Sequence, residues 1–293
     1  MSLTARAFEQ RRPPSIALSP PAIGHAAALA LYDELALSPK PGLVTLTDSG
    51  SHSDMDAQTF MRSLFALRSY FARIASLGAA GAPFEALERC GVEAEARMLG
   101  ATGGINTHRG AIFMLGLLCA AAGTIVAAGF APSPERLRRT LLAHWGEALA
   151  SRALRPSSLP GGVAARRWGL RSASAEAALG FPVLFETAIP ALRNATARGL
   201  TAWKARLETL FHVIAVLDDS NLAHRGGLEG LRHAQTLARA FIAGGGAARP
   251  DCGDAAKAIG DEFVRRRLSP GGSADTLSAA CWMARIGALA PAL

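Results

Sequence analysis

Three ionisable side chains, His52, Asp54 and Asp56, fall within the short run His52-Ser53-Asp54-Met55-Asp56. Carboxylates and an imidazole at this spacing can move a proton, stabilise a developing cation or hold a divalent metal. Just upstream stands Ser38-Pro39-Lys40-Pro41-Gly42-Leu43-Val44. Lys40 precedes a proline, so its backbone favours extended conformations, and the flanking prolines leave the loop little entropy to lose on ordering. That suits a cation aimed at a phosphate. A structural reading is also open for the acids: Ser53 or Asp54 caps a helix, Asp56 complements its dipole, and His52 is solvated.

A second run, Gly103-Gly104-Ile105-Asn106-Thr107-His108-Arg109-Gly110, leads into the most apolar part of the chain. Asn106 or Thr107 can cap the helix that follows, but Arg109 then stands where the helix dipole disfavours a cation, and a bound anion would reverse that penalty. His108 and Asn106 add donors. A third run, Asp218-Asp219-Ser220-Asn221 with His224-Arg225-Gly226-Gly227, places two acids at an expected helix C-terminus, again the wrong end of a dipole. Mg²⁺ shared with phosphate oxygens would compensate them, as would a solvated turn or a bridge to Arg225. The fourth run, Ser269-Pro270-Gly271-Gly272-Ser273-Ala274-Asp275, has the residues of an ordinary helix start.

The elements that must position these groups are helical. Apolar residues recur at three- and four-residue spacing in Ala26 to Leu37, and from Asp54 onward with Phe60, Leu64, Leu67, Phe71 and Ile74. Further helices are expected from Pro83 to Gly100, from Ser133-Pro134, from Thr201 to Leu217, from Gly227 to Ala243, from Asp251 to near Leu268 and from Ser273. Residues Ser157 to Ser174 read as irregular, and Gly244-Gly245-Gly246 as a linker. No period-two alternation or tandem repeat is present. The expectation is an all-α single domain of about ten helices over 22–293, preceded by a flexible tail over 1–21. Polar, glycine-rich sequence precedes helices around Asp54, Asn106, Arg225 and Ser273, and several helix N-termini converging would suit a triphosphate.

The chain has 293 residues, half of them hydrophobic, with 31 Lys and Arg against 23 Asp and Glu, a net charge of +8. The apolar fraction excludes a mainly disordered chain, and the scattered Cys90, Cys119, Cys252 and Cys281 exclude a disulfide scaffold. They read as buried, reduced thiols. The basic balance attracts polyanions. Its residues are dispersed rather than striped with aromatics, which favours a phosphorylated metabolite over nucleic acid. Gly110 to Ala131 is uncharged and long enough to span a bilayer, but its amphipathic neighbours demand a core partner, so a buried central helix is expected and no membrane. Met1 to Leu18 has arginines and prolines where a signal peptide has an apolar stretch, so the expected location is cytoplasmic.

These runs, in this order and spacing from about His25 to Met283, resemble the triphosphoribosyl-dephospho-coenzyme A synthase family. The matching stretches are the Ser38–Val44, His52–Asp56 and Gly104–Phe113 runs, Asp219-Ser220-Asn221 with Arg225-Gly226-Gly227, and Ser269–Asp275. One position departs: where the family tends to carry arginine before a Gly-Phe-Pro, this chain has Ser174, with Arg171 nearby and Gly180-Phe181-Pro182 following. The resemblance implies an all-α enzyme in which the ribose 2′-hydroxyl of 3′-dephospho-coenzyme A attacks C1′ of ATP's ribose and adenine leaves. The product is the prosthetic-group precursor for an acyl carrier subunit, and malonate decarboxylase is expected downstream rather than citrate lyase. The family's change from β to α anomer implies a single displacement, for which one general base suffices.

On that chemistry Asp54 is the expected base or ring-charge stabiliser, with His52 or His108 assisting proton transfer. Asp56, Asp219 and Asp275 are expected to hold Mg²⁺ on the triphosphate. Lys40, Arg109 and Arg225 meet phosphates, while Asn106 and Thr107 orient the nucleotide. The acyl carrier subunit or its transferase is an expected protein partner. Two other readings use the same residues: a nucleotide N-glycosidic hydrolase with water as acceptor, and a non-catalytic carrier of a coenzyme A derivative.

Overall fold

A computed structural model of the chain describes residues 18–289, which form twelve α-helices and no strand. The sequence dictates most of the helix starts. Ser19 caps α1 (Pro20–Leu35), accepting from the Ala22 N–H, and two prolines fill the first turn where no N–H is needed. Ser133 caps α5 (Pro134–Ala153) and Thr201 caps α9 (Ala202–Val216) in the same way. The remaining helices are α2 (Ala57–Ala79), α3 (Phe84–Ala101), α4 (Arg109–Ala127), α6 (Pro160–Trp168), α7 (Ala173–Ala178), α8 (Ile189–Ala197), α10 (Ser220–Ala243), α11 (Cys252–Arg265) and α12 (Gly271–Arg285). All four cysteines are free and buried.

The apolar run is the core helix. Leu115, Leu118, Cys119, Ala120, Ala121 and Ala122 of α4 have no exposure, and α2, α1, α3, α5 and α12 surround it. Alone, α4 is long and apolar enough to cross a membrane; within this fold 67% of its most apolar window is buried. Close approach of α2 and α4 is set by glycine. A Cβ on Gly78 would lie 2.0 Å from the Ala120 carbonyl oxygen, and one on Gly123 would lie 2.0 Å from that of Ala75. At such separations the two backbones touch directly, as small-residue helix contacts allow. α12 then bridges this group to α9, and its buried Trp282 donates to the Ile23 carbonyl of α1 at 3.2 Å.

Several expectations are corrected. The tail expected over 1–21 lies mostly outside the described residues, but Ser19 already caps α1 and Pro20-Pro21 begin it. The stretch read as irregular contains α6 and the start of α7; α6 is short and glycine-containing, and packing on α10 holds it. Asp219 does not end a helix. It caps the start of α10, which begins seven residues before the expected Gly227 and bends there, where Gly227 takes φ 65°. The glycine run after α10 enters a buried 3₁₀ turn, Gly246–Ala248, rather than a linker; the Ala247 N–H is held by Glu208 at 2.6 Å.

The glycine contacts generate a paired prediction. Gly123→Ala forces α2 and α4 apart and destabilises by about 1–3 kcal/mol, whereas Gly100→Ala in α3, where a Cβ meets nothing within 4 Å, stabilises by about 0.4–1 kcal/mol. Urea unfolding of both variants checks this, and equal effects would contradict the close approach.

Candidate active site

One cavity of about 1200 Å³ opens among α2, α3, α4, α6, α7, α10 and α12. Single-ligand sites are typically about 300–1,000 Å³, so there is room for more than one substrate. Its wall takes in the starts of α4 (Asn106 to Gly110), α6 (Leu159 to Gly162), α7 (Ser172 to Ala175), α10 (Ser220, Asn221) and α12 (Gly271, Gly272). A helix start carries a positive dipole end and N–H groups without backbone partners; at α10 and α12 Asp219 already takes several of these N–H groups, and at α4 and α7 Asn106 and Ser172 take one each. Phe60, Tyr70, Phe84, Leu87 and Phe113, contributed by α2, α3 and α4, give the same cavity an apolar lining.

Asp54, His52 and Arg225 form a cluster in the wall. Arg225 donates to the carbonyls of Ser51 (3.0 Å) and Arg267 (3.2 Å) and to His52 Nδ1 (3.0 Å). His52 Nε2 lies 2.9 Å from Ser269 Oγ, and Asp54 lies 3.6 Å from His52 Nδ1. Burial, reinforced by the Arg225 charge, lowers the His52 pKa against the weaker pull of Asp54. The ring is therefore neutral, accepts at Nδ1 and donates at Nε2. Both nitrogens are engaged, Nδ1 by Arg225 and Nε2 by Ser269 Oγ. Asp54 is 57% exposed on its side chain and free to meet substrate.

Deeper, Lys40 is not in the wall. Its ammonium is wholly buried, 2.5 Å from Glu34 Oε1 and 2.7 Å from the Glu34 carbonyl near the C-terminus of α1. A cation is favourable there. Burial lowers its pKa while Glu34 pulls it back. The expected phosphate contact of Lys40 is replaced by this pair, of which Glu34 alone reaches the cavity. Sequence reading passed over Glu34 because it sits inside an alanine- and leucine-rich helix. The available signal was an acid pair, Asp33-Glu34, on an otherwise apolar element.

The acids expected to bind Mg²⁺ are separated by their duties. Asp56 caps α2, accepting from the Thr59 N–H and hydroxyl at 2.8 Å, and those bonds lower its pKa. Asp219 is buried and accepts from the Asn221 and Leu222 N–H groups with one oxygen and from the Ser273 N–H and hydroxyl with the other. Asp275 alone of the three lines this cavity. Burial, with Glu34 and Asp219 beside it, raises its pKa well above the ordinary value. Among the described residues no three His, Cys, Asp or Glu side chains gather as a metal-binding group.

Asn106, Thr107, His108 and Arg109 all reach the cavity. Asn106 accepts from the Arg109 N–H at 3.1 Å, and the Arg109 guanidinium pairs with Glu95 of α3 at 2.5 Å, which accounts for a cation at this helix start. Ser174 also lines the cavity, whereas Arg171 is held by Glu176 at 3.0 Å beside a smaller pocket, so Arg171 does not take the missing arginine's place.

The Lys40–Glu34 pair yields a stability prediction. Lys40→Met strands a buried carboxylate and costs about 3–5 kcal/mol, while Lys40→Met with Glu34→Met recovers most of the loss. Denaturant unfolding of both variants decides; equal losses would contradict the pairing.

Comparison with known proteins is consistent with this cavity. Residues 20–292 match the family described as ATP:dephospho-CoA triphosphoribosyl transferase. The chain is 36% identical over 260 residues to a probable 2-(5''-triphosphoribosyl)-3'-dephosphocoenzyme-A synthase of Acinetobacter calcoaceticus, covering 89% of each chain. It is 37% identical over 275 residues to the probable synthase of Vibrio cholerae serotype O1 (90% and 87% covered). Against the synthase of Escherichia fergusonii it is 36% identical over 264 residues (85% and 86%). No solved structure matches. With nearly all of its described residues inside the matched region, the chain belongs to the ATP:dephospho-CoA triphosphoribosyl transferase family.

Proposed function

We propose that this enzyme joins the triphosphoribosyl group of ATP to the 2′-hydroxyl of 3′-dephospho-coenzyme A and releases adenine. The observation that carries the reading is the cavity itself, large enough for two nucleotides and ringed by the starts of five helices. Both substrates are polyanions, in keeping with the net charge of +8. Breaking an N-glycosidic bond builds positive charge on the ribose, and a solvated carboxylate such as Asp54 can stabilise it or take the hydroxyl proton. Arg225, braced by two carbonyls and His52, is a fixed cation for a phosphate.

Asp275 is the group that fits Mg²⁺. A buried carboxylate beside Glu34 and Asp219 is destabilised by like charge, and a divalent cation relieves it. Asp275 would hold the ion together with triphosphate oxygens, and the ion would supply charge neutralisation there. The product is read as the precursor carried by an acyl carrier subunit, which the family resemblance implies; malonate decarboxylase is the proposed destination and the cytoplasm the proposed location.

Incubation with ATP, dephospho-coenzyme A and Mg²⁺ is expected to give adenine and a conjugate of the joined mass in equal amounts. Adenine without conjugate would favour the hydrolase, and neither would favour the carrier. Asp54→Asn lowers turnover by about 10² or more, and a near-normal rate would remove Asp54 from the mechanism.

Asp275→Asn separates stability from function. A raised folded pKa means that ionised Asp275 destabilises the ligand-free fold, and that stability returns as pH falls through the folded pKa. At neutral pH the variant is therefore more stable than the parent in thermal melts yet loses Mg²⁺-dependent turnover. A less stable variant would contradict the assignment.

A further inference from the structure

His108 immediately precedes the first turn of α4, and its ring is buried in the cavity wall against two residues of α2. Phe60 meets it edge-on with ring centroids 4.9 Å apart. Ser63 Oγ lies 2.6 Å from its Nδ1. On the other side of the ring, Nε2 is buried and has no partner among the described residues. An orphaned polar atom of this kind is rare in native proteins and calls for an explanation.

The tautomer follows from Ser63. This residue has no exposure, and its sole hydrogen-bond partner among the described residues is His108 Nδ1. If Nδ1 carried the proton, Ser63 would accept and its own O–H would point at nothing, an unmade donor in a dry interior. With Ser63 donating, every proton on that side is used, and the imidazole proton is left on Nε2. Burial and the nearby Lys40 charge lower the His108 pKa to about 3, so the ring neither charges nor serves as a strong base at working pH.

Resting on the activity proposed above, we propose that Ser63 is a positioning residue that locks His108 as its Nε2–H tautomer, and that this N–H is the hydrogen-bond donor to the departing purine. The C1′–N9 bond of ATP breaks with its electron pair passing to the purine, and the C1′–O bond to the acceptor's 2′-oxygen forms. The hydroxyl proton ends on adenine by way of the base. His108 gives up no proton; its N–H steadies charge that appears on the purine nitrogens only as the bond breaks. An uncharged N–H donor packed edge-on against Phe60 matches a flat heterocycle with ring-nitrogen acceptors better than it matches a phosphate.

The test combines a spectrum with kinetics on the full chain. Nitrogen-15 NMR of the histidine side chains, with His108 identified by its loss in His108→Gln, is expected to show the Nε2–H form in the parent and a mixture in Ser63→Ala. Glutamine can place an N–H near the position of Nε2. His108→Gln therefore keeps substantial turnover, while His108→Ala loses about 10²–10³ in kcat. Ser63→Ala loses about tenfold in kcat with KM for dephospho-coenzyme A unchanged.

An Nδ1–H form in the parent, a Gln variant as inactive as the Ala variant, or full turnover in His108→Ala would each overturn the inference. If the parent releases no adenine at all, the proposed activity fails, and the spectrum still decides the tautomer.

Discussion

Asp219 joins two helix starts that belong to different parts of the chain. One of its carboxylate oxygens takes the first free N–H groups of α10 and the other takes the N–H and hydroxyl of Ser273 in the first turn of α12. A buried carboxylate is costly unless its lone pairs are satisfied, and here four donors do so. These bonds oppose the pKa rise that burial imposes. Because both helices are tied to one side chain, their N-terminal ends lie side by side, and the residues around them, Asn221, Gly271 and Gly272, face the same cavity. Without this clasp the polar wall would be two unrelated loops.

The apolar half of the site depends on a different constraint. α2 and α4 approach until backbone meets backbone at Gly78 and Gly123. Tyr70 of α2 lies over Gly116 of α4 and donates to the Ile112 carbonyl at 2.9 Å, so the ring is fixed without a side chain beneath it. The same pair of helices brings Ser63 to His108. Packing in the core thereby sets the geometry of polar groups that belong to the site, and a shift between α2 and α4 would be felt at the imidazole.

Much of the fold was legible because its signals are local. Ser19, Ser133 and Thr201 announce their helices, and the uncharged run is the buried central helix α4. Residues from each of the four motif runs line the one cavity. What the runs could not reveal was pairing across the chain. Lys40 turned inward because Glu34, on the preceding helix, offers a buried partner. Arg109 was explained by Glu95 on α3, and Asp219 by Ser273 far downstream. Ser63 carried no signal, being one polar residue on an amphipathic helix, and only its distance to His108 gives it meaning. Sequence spacing locates a polar residue along the chain; whether it faces substrate or a buried partner is settled by elements remote in sequence.

The polar wall has a consequence for how this protein can vary. It is built in part from peptide N–H groups at helix starts, and a backbone group survives almost any change of side chain. A change of one side chain in that wall, as at Ser174, leaves those backbone groups in place. Substrate grip built from peptide dipoles is robust to drift in a way that grip built from a few guanidinium groups is not. Selection on individual side chains is thereby freed for the reacting bond, where a single misplaced donor is costly.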